Sequence, residues 1–193
     1  MKSRIFAFAL AFAGSVFLLS MAGVSLRAAE GGHGHGHGHS NVGKPGEAAD
    51  VTRTIEIVMR DNSYEPNEVS IKEGETVRFI VKNVGEFVHE FNIGTKEMHL
   101  AHQPEMMQMM EQGVLEVDRI NWDAAKGMHG SKGMQHGAGH GMGMHDEPNS
   151  VLLEPGKSGE IIWTFPDHAD LEFACNVPRH YDAGMHRPIK LTH

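Results

Sequence analysis

Polar and apolar residues alternate along Thr52-Arg53-Thr54-Ile55-Glu56-Ile57-Val58-Met59, the period-two pattern of a strand with one buried face. Turn-forming residues follow from Asp61 to Asn67, and strands are predicted at 69–72, 76–83 and 87–93. The pattern resumes late in the chain at 150–153, 159–165, 171–176 and 188–192. Short alternating runs separated by turns predict an all-β sandwich, and Greek-key connections fit these strands. Residues 95–149 interrupt the alternation. A helix is predicted at 105–117, and after Trp122 the chain becomes rich in Gly, Met and His. The interruption therefore reads as an insertion, partly helical and partly disordered.

The start of the chain has a different character. Lys2 and Arg4 precede an apolar stretch at 5–19, and small residues lead to Ala28-Ala29. This is the layout of a signal peptide over residues 1–29. The competing reading is an uncleaved membrane anchor, but Ser15, Ser20 and the glycines interrupt the roughly 20 apolar residues a span requires. Residues 30–50 are Gly- and His-rich and predict a disordered tail. One domain at 51–193, with its insertion at about 95–149, is left to build the core.

Loss of the leader takes the formal charge from −8 to about −11. No basic stripe is present, which argues against nucleic acid as a partner. An acidic surface suits cations or a basic protein.

Export sharpens the meaning of the single cysteine, Cys175. Oxidising compartments favour disulfides, which one cysteine cannot form within its own chain. It is either a buried inert thiol or a metal ligand. Cys175, His180 and Met185 follow one another at five-residue spacing in Cys175-Asn176-Val177-Pro178-Arg179-His180-Tyr181-Asp182-Ala183-Gly184-Met185. Thiolate, imidazole and a weak axial thioether are ligands of a mononuclear blue-copper-type site. A second imidazole is needed, and His89 on the strand Val88-His89-Glu90-Phe91 is the candidate. His186 is a competing ligand at poorer spacing. Asn92 and Asn176 are candidates for hydrogen bonds that support the ligands.

Further donors lie outside this set. The tail carries His33, His35, His37 and His39. The insertion holds nine methionines and six histidines, among them Met98, His99, His102, Met106, Met110, Met128, His129, Met134, His136, His140, Met142, Met144 and His145. Thioethers favour Cu(I), and imidazoles favour Cu(II), Zn(II) or Ni(II), so both segments read as auxiliary metal-capture regions. For Met106 and Met110 the alternative is the apolar face of a covering helix.

The His-Gly tail, the run Phe87-Val88-His89-Glu90-Phe91-Asn92-Ile93-Gly94, the Met/His insertion and the Cys175 loop together resemble the cupredoxin family. Within it, they resemble the CopI-type periplasmic cupredoxins of bacterial copper tolerance. The resemblance implies one type 1 copper held by His89, Cys175, His180 and Met185. It also implies a periplasmic location and protection of the cell envelope from copper. The family loop reads Pro-Gly-His where this chain has Pro178-Arg179-His180, and Arg187 stands where a glycine is expected. If either position has positive φ, arginine costs about 1 kcal/mol or more there.

Copper tolerance is the expected function, with copper ions and a periplasmic redox or copper-trafficking protein as partners. The alternative is a periplasmic electron carrier serving an oxidase or reductase. Catalysis is not expected, because the only His-x-His pairs lie in the tail and a binuclear copper centre needs a second cysteine. Slow Cu(I) oxidation is the one enzymatic activity left open.

Overall fold

A computed structural model describes residues 42–128 and 147–193. Its strands in chain order are β1 (Lys44–Pro45), β2 (Arg53–Arg60), β3 (Ser63–Glu65), β4 (Val69–Lys72), β5 (Thr76–Asn83), β6 (His89–Gly94), β7 (Ser150–Leu153), β8 (Ser158–Thr164), β9 (Leu171–Ala174) and β10 (His186–Thr192). One five-stranded sheet has the order β1-β8-β5-β2-β3, the other β4-β10-β9-β6-β7. Neighbours are antiparallel except β2 with β5 and β4 with β10, which run parallel. Strands close in sequence thus often lie in different sheets, as Greek-key crossing requires.

Alternation along the strands builds the core. Ile57 and Met59 of β2, Val77, Phe79 and Val81 of β5, and Phe91 and Ile93 of β6 are fully buried. Phe91 packs on Phe79 at 5.4 Å between ring centroids and on Phe173 at 5.3 Å. Tyr64 meets Phe173 edge-on at 5.0 Å. Each such aromatic pair adds about 0.5–1.5 kcal/mol beyond its buried area.

Two departures from the sequence expectation stand in the first sheet. Residues 42–50, predicted as part of the disordered tail, contain β1 and a 3-10 turn at Ala48–Asp50. The edge of β8 supplies partners: β1 pairs with it, and the Trp163 indole N–H donates to the Val42 carbonyl at 2.8 Å. Gly43 makes this approach possible, with φ of 101° and no room for a Cβ between Thr164 O and Trp163 Nε1. The second departure is β3, in the stretch expected to be turn. Only Tyr64 is buried in it, so three residues carry no visible alternation.

The helix also differs. α1 spans Lys96–Glu111 instead of 105–117, with Pro104 inside it. Thr95 caps its start, accepting from the Met98 N–H at 3.3 Å. His99, His102, Met106 and Met109 form its buried face. A short α2 (Trp122–Met128) follows, its first turn capped by Asn121, whose Oδ1 accepts from the Ala124 N–H at 3.1 Å. The segment between the helices is tied to the second sheet: the Val88 N–H donates to the Val117 carbonyl at 2.8 Å.

Candidate metal centre

β6 is buried along its whole length. Period-two alternation sends His89, Phe91 and Ile93 to one face, and Glu90, Asn92 and Gly94 to the other. Phe91 shows that the first face looks into the aromatic core. The second face lies under α1, where Glu90 Oε1 is 3.4 Å from His102 Nε2. One strand therefore positions a candidate ligand on one face and, on the other, the carboxylate that ties down the loop after Cys175.

Cys175 follows β9 directly, and β9 pairs with β6 so that Ala174 faces Asn92. This register brings the thiol beside His89. Cys175 Sγ lies 3.9 Å from His89 Nδ1 and 3.3 Å from His180 Nδ1. The donor atoms of His89, Cys175 and His180 are all within 4.8 Å of one another. The chain closes the loop tightly: the Cys175 N–H donates to the Met185 carbonyl, and the Met185 N–H to the His180 carbonyl, each at 3.0 Å. Met185 is fully buried at this closure. Cys175, His180 and Met185, proposed from their spacing, and His89, proposed from its strand, are thus brought into one region.

Burial disfavours the charged form of each titratable donor. Burial pushes the Cys175 thiol well above its usual range, although the Glu90 and Val177 backbone N–H groups act to lower it. The Glu90 N–H reaches the sulfur at 3.3 Å. Both N–H groups are placed to stabilise a thiolate once a cation replaces the proton. Burial lowers the His180 pKa to about 4, helped by the neighbouring His89. Burial lowers His89 too, partly offset by Asp61.

Asp61 has no counterpart in the sequence reading. Its Oδ1 lies 3.0 Å from His89 Nε2 and also accepts from the Glu86 and Phe87 N–H groups. An ionised carboxylate requires the proton on Nε2, which leaves the Nδ1 lone pair facing the thiol. Gly85 permits this approach. A Cβ there would overlap Asp61 Oδ1 and come within 3.0 Å of His89 Nε2.

Beneath the other face of β6, Glu90 organises a buried polar network. It accepts from Ser150 Oγ at 2.7 Å, and from the Asn176 backbone and side chain at 3.1 and 2.9 Å. Asn176, proposed as a support of the ligand loop, does tie that loop to β6, and Asn92 joins through its amide at 3.3 Å. Tyr64 fixes the same residue from the core, donating to the Glu90 carbonyl at 2.6 Å. Burial disfavours the Glu90 charge, yet His102, Ser150 and Asn176 hold its carboxyl well below the usual range. Burial likewise opposes protonation of His102, but Glu90 outweighs it and raises that pKa to about 9.

The auxiliary candidates divide. His102 sits against Glu90, and His99 Nδ1 lies 3.2 Å from Asn176 Nδ2. Met106 is fully buried in the core, Met110 packs against it, and Met98 is half-buried. Among the described residues, these donors hold α1 on the sheet. His33, His35, His37, His39, His129, Met134, His136, His140, Met142, Met144 and His145 lie outside the described residues, as do the expected signal peptide and the Met128 side chain. His186 is turned elsewhere, stacked on Tyr181 at 4.5 Å and 3.4 Å from Glu172.

The two arginines differ from each other. Arg179 has φ of 76°, the left-handed region in which glycine is favoured. Arg187 lies in β10 and donates to the Gly184 and His186 carbonyls at 2.8 and 2.6 Å, bracing the end of the ligand loop.

A sandwich with a buried thiol and two imidazoles at one end is the arrangement of a cupredoxin. A cupredoxin-like domain model matches residues 37–119. The fold resembles sodium-dithionite-reduced auracyanin of Roseiflexus castenholzii, with TM-score 0.50 and 20% identity over 74% of this chain and 99% of that one. It also resembles auracyanin B, with TM-score 0.53 and 17% identity over 79% and 99% of the two chains. The copper-resistant cuproprotein CopI of Pseudomonas aeruginosa is 47% identical over 74% of this chain and 78% of its own. The CopI protein of Rubrivivax gelatinosus is 32% identical over 96% of each chain. The chain belongs to the CopI family of cupredoxins.

Proposed function

We propose that the protein is a periplasmic copper-tolerance cupredoxin that holds one copper in a type 1 centre of His89, Cys175, His180 and Met185. The observation that carries this reading is the convergence of two imidazole Nδ1 atoms on one buried thiol, at 3.9 and 3.3 Å. A thiolate with two imidazoles suits copper, and Met185 would add a soft thioether. Bound copper would supply one-electron exchange between Cu(I) and Cu(II). The residues themselves do the rest. Asp61 fixes the His89 tautomer, backbone N–H groups of Glu90 and Val177 meet the sulfur, and burial excludes water. The relatives named copper-resistant cuproproteins support the tolerance role.

Capture of further copper falls to the Met/His run after residue 128, since His99, His102 and Met106 are engaged in packing. A second reading, electron transfer, is favoured by His180. It is half-exposed beside Phe87, 6.3 Å between ring centroids, and so offers a route from the donor set to the surface. We assign no catalytic residue.

The test is a Cu(II) titration of the mature protein, reading the visible thiolate-to-copper band together with bound copper. The band should saturate at one copper and vanish in Cys175→Ser. Copper bound beyond that without colour supports capture. A metallated parent with no band overturns the ligand assignment. Shortening 129–146 should leave the band and reduce excess copper binding and tolerance; unchanged tolerance favours the electron carrier.

A further inference from the structure

Glu73, His168 and His193 come from three separate segments: the turn after β4, the loop before β9 and the residue after β10. His168 Nδ1 lies 2.9 Å from Glu73 Oε1, and His193 Nδ1 lies 2.8 Å from Glu73 Oε2. The donor atoms of all three are within 4.8 Å of one another. The two rings stand 5.4 Å apart between centroids. From these contacts we propose a second metal site, for a borderline divalent cation such as Cu(II) or Zn(II).

The donor chemistry selects the cation class. Two imidazoles and a carboxylate suit Zn(II) and Cu(II), and with no sulfur they give Cu(I) little hold. The carboxylate is available as an anion, because the His168 backbone N–H, at 3.0 Å, and the two imidazoles hold it below its usual range. His168 itself has φ of 51°, an uncommon backbone for a residue with a Cβ. That conformation turns both its N–H and its ring nitrogen toward Glu73. A tetrahedral ion at about 2.0–2.1 Å from each donor needs them about 3.3 Å apart, so each Glu73–imidazole pair opens by roughly 0.5 Å. The histidines have the freedom to do so, being exposed at the rim of a depression also lined by Asp170 and Lys190.

This site is remote from the cysteine. His186 at the start of β10 pairs with Ala174, next to Cys175, while Ile189 pairs with Leu171. His193 follows the other end of β10, about 20 Å away at 3.3 Å per residue. The two sites therefore act independently, and this inference does not rest on the copper centre.

Equilibrium dialysis of the full chain against Zn(II) alone tests it, comparing the parent with His168→Asn and His193→Gln. Each variant should bind one equivalent less, with an unchanged near-ultraviolet circular dichroism spectrum reporting the intact core. Crystals grown with Zn(II) should show an anomalous peak among the three side chains. Equal stoichiometry in parent and both variants would overturn the site, as would anomalous peaks confined to other residues.

Discussion

The two ends of strand β10 differ in how they hold potential ligands. Near Ala174, His89 and Cys175 are fully buried, burial disfavours their charged forms, and supporting residues fix them from several sides. Near Thr192, His168 and His193 keep 75% and 81% of their side chains exposed, and they hydrogen-bond directly to the carboxylate that would be their co-ligand. Burial makes the first arrangement rigid and soft, because a desolvated thiol gives up its proton only to a cation that bonds sulfur strongly. Exposure makes the second adaptable and weak, because ordering two solvated side chains offsets part of each metal bond. On the two proposals, one sheet would offer both a selective centre and a permissive one.

The comparison breaks most sharply at Cys175. Cys175→Ser should remove the visible copper band entirely while leaving the Zn(II) equivalent assigned to His168 and His193. Simultaneous loss of both would show that the ends are coupled.

The next effect is on stability. Glu90→Gln removes the charge that faces His102 and turns one of the two oxygens accepting from Asn176 and Ser150 into a donor, in a buried setting. Breaking such a pair costs about 3 kcal/mol or more, read as a lowered denaturation midpoint. At the other end, Glu73→Gln should lower the midpoint far less, because water screens its pairs with two exposed imidazoles.

Asp61→Ala leaves the four proposed copper ligands in place but frees the His89 ring. Copper affinity should fall about 10- to 100-fold, measured by competition with a chelator. Unchanged affinity would show that the buried end is held by packing alone.

The pH dependence follows from His102. Its folded pKa, about 9, lies above the ordinary imidazole value of 6.5. The folded state therefore binds the proton more tightly. This stabilisation is complete below pH 6.5 and is lost as pH rises toward and through 9. Urea denaturation of the metal-free protein should show that decline, and His102→Gln should flatten it. The smallest effect belongs to Arg179→Gly, which relieves the left-handed arginine and should raise stability by about 1 kcal/mol. It should also lower the reduction potential if the arginine charge favours Cu(I) at the proposed centre, a shift voltammetry would detect.

Legibility followed the range of the interactions. Strands β4 and β5 have the bounds predicted from alternation, because each has a more buried face that the pattern reports; β7 also has its predicted bounds, though both its faces are buried. The five-residue spacing of Cys175, His180 and Met185 was legible because one loop carries all three. The start of α1 was not, since its buried face begins with His99 and His102, which are polar and face Glu90 and Asn176 instead of an apolar core. Asp61 is 28 positions from His89, and Glu73 is 95 and 120 from its two histidines. No local pattern marks such pairs.

By itself, the sequence determined the sandwich, through period-two burial, and marked the candidate soft donors, through residue chemistry concentrated in one loop. Only the tertiary structure decided which groups support those donors and which lie within reach of a second cation. Those choices depend on strand register and on turns meeting across the sheet, and a chain of residues encodes such distances only once it has folded.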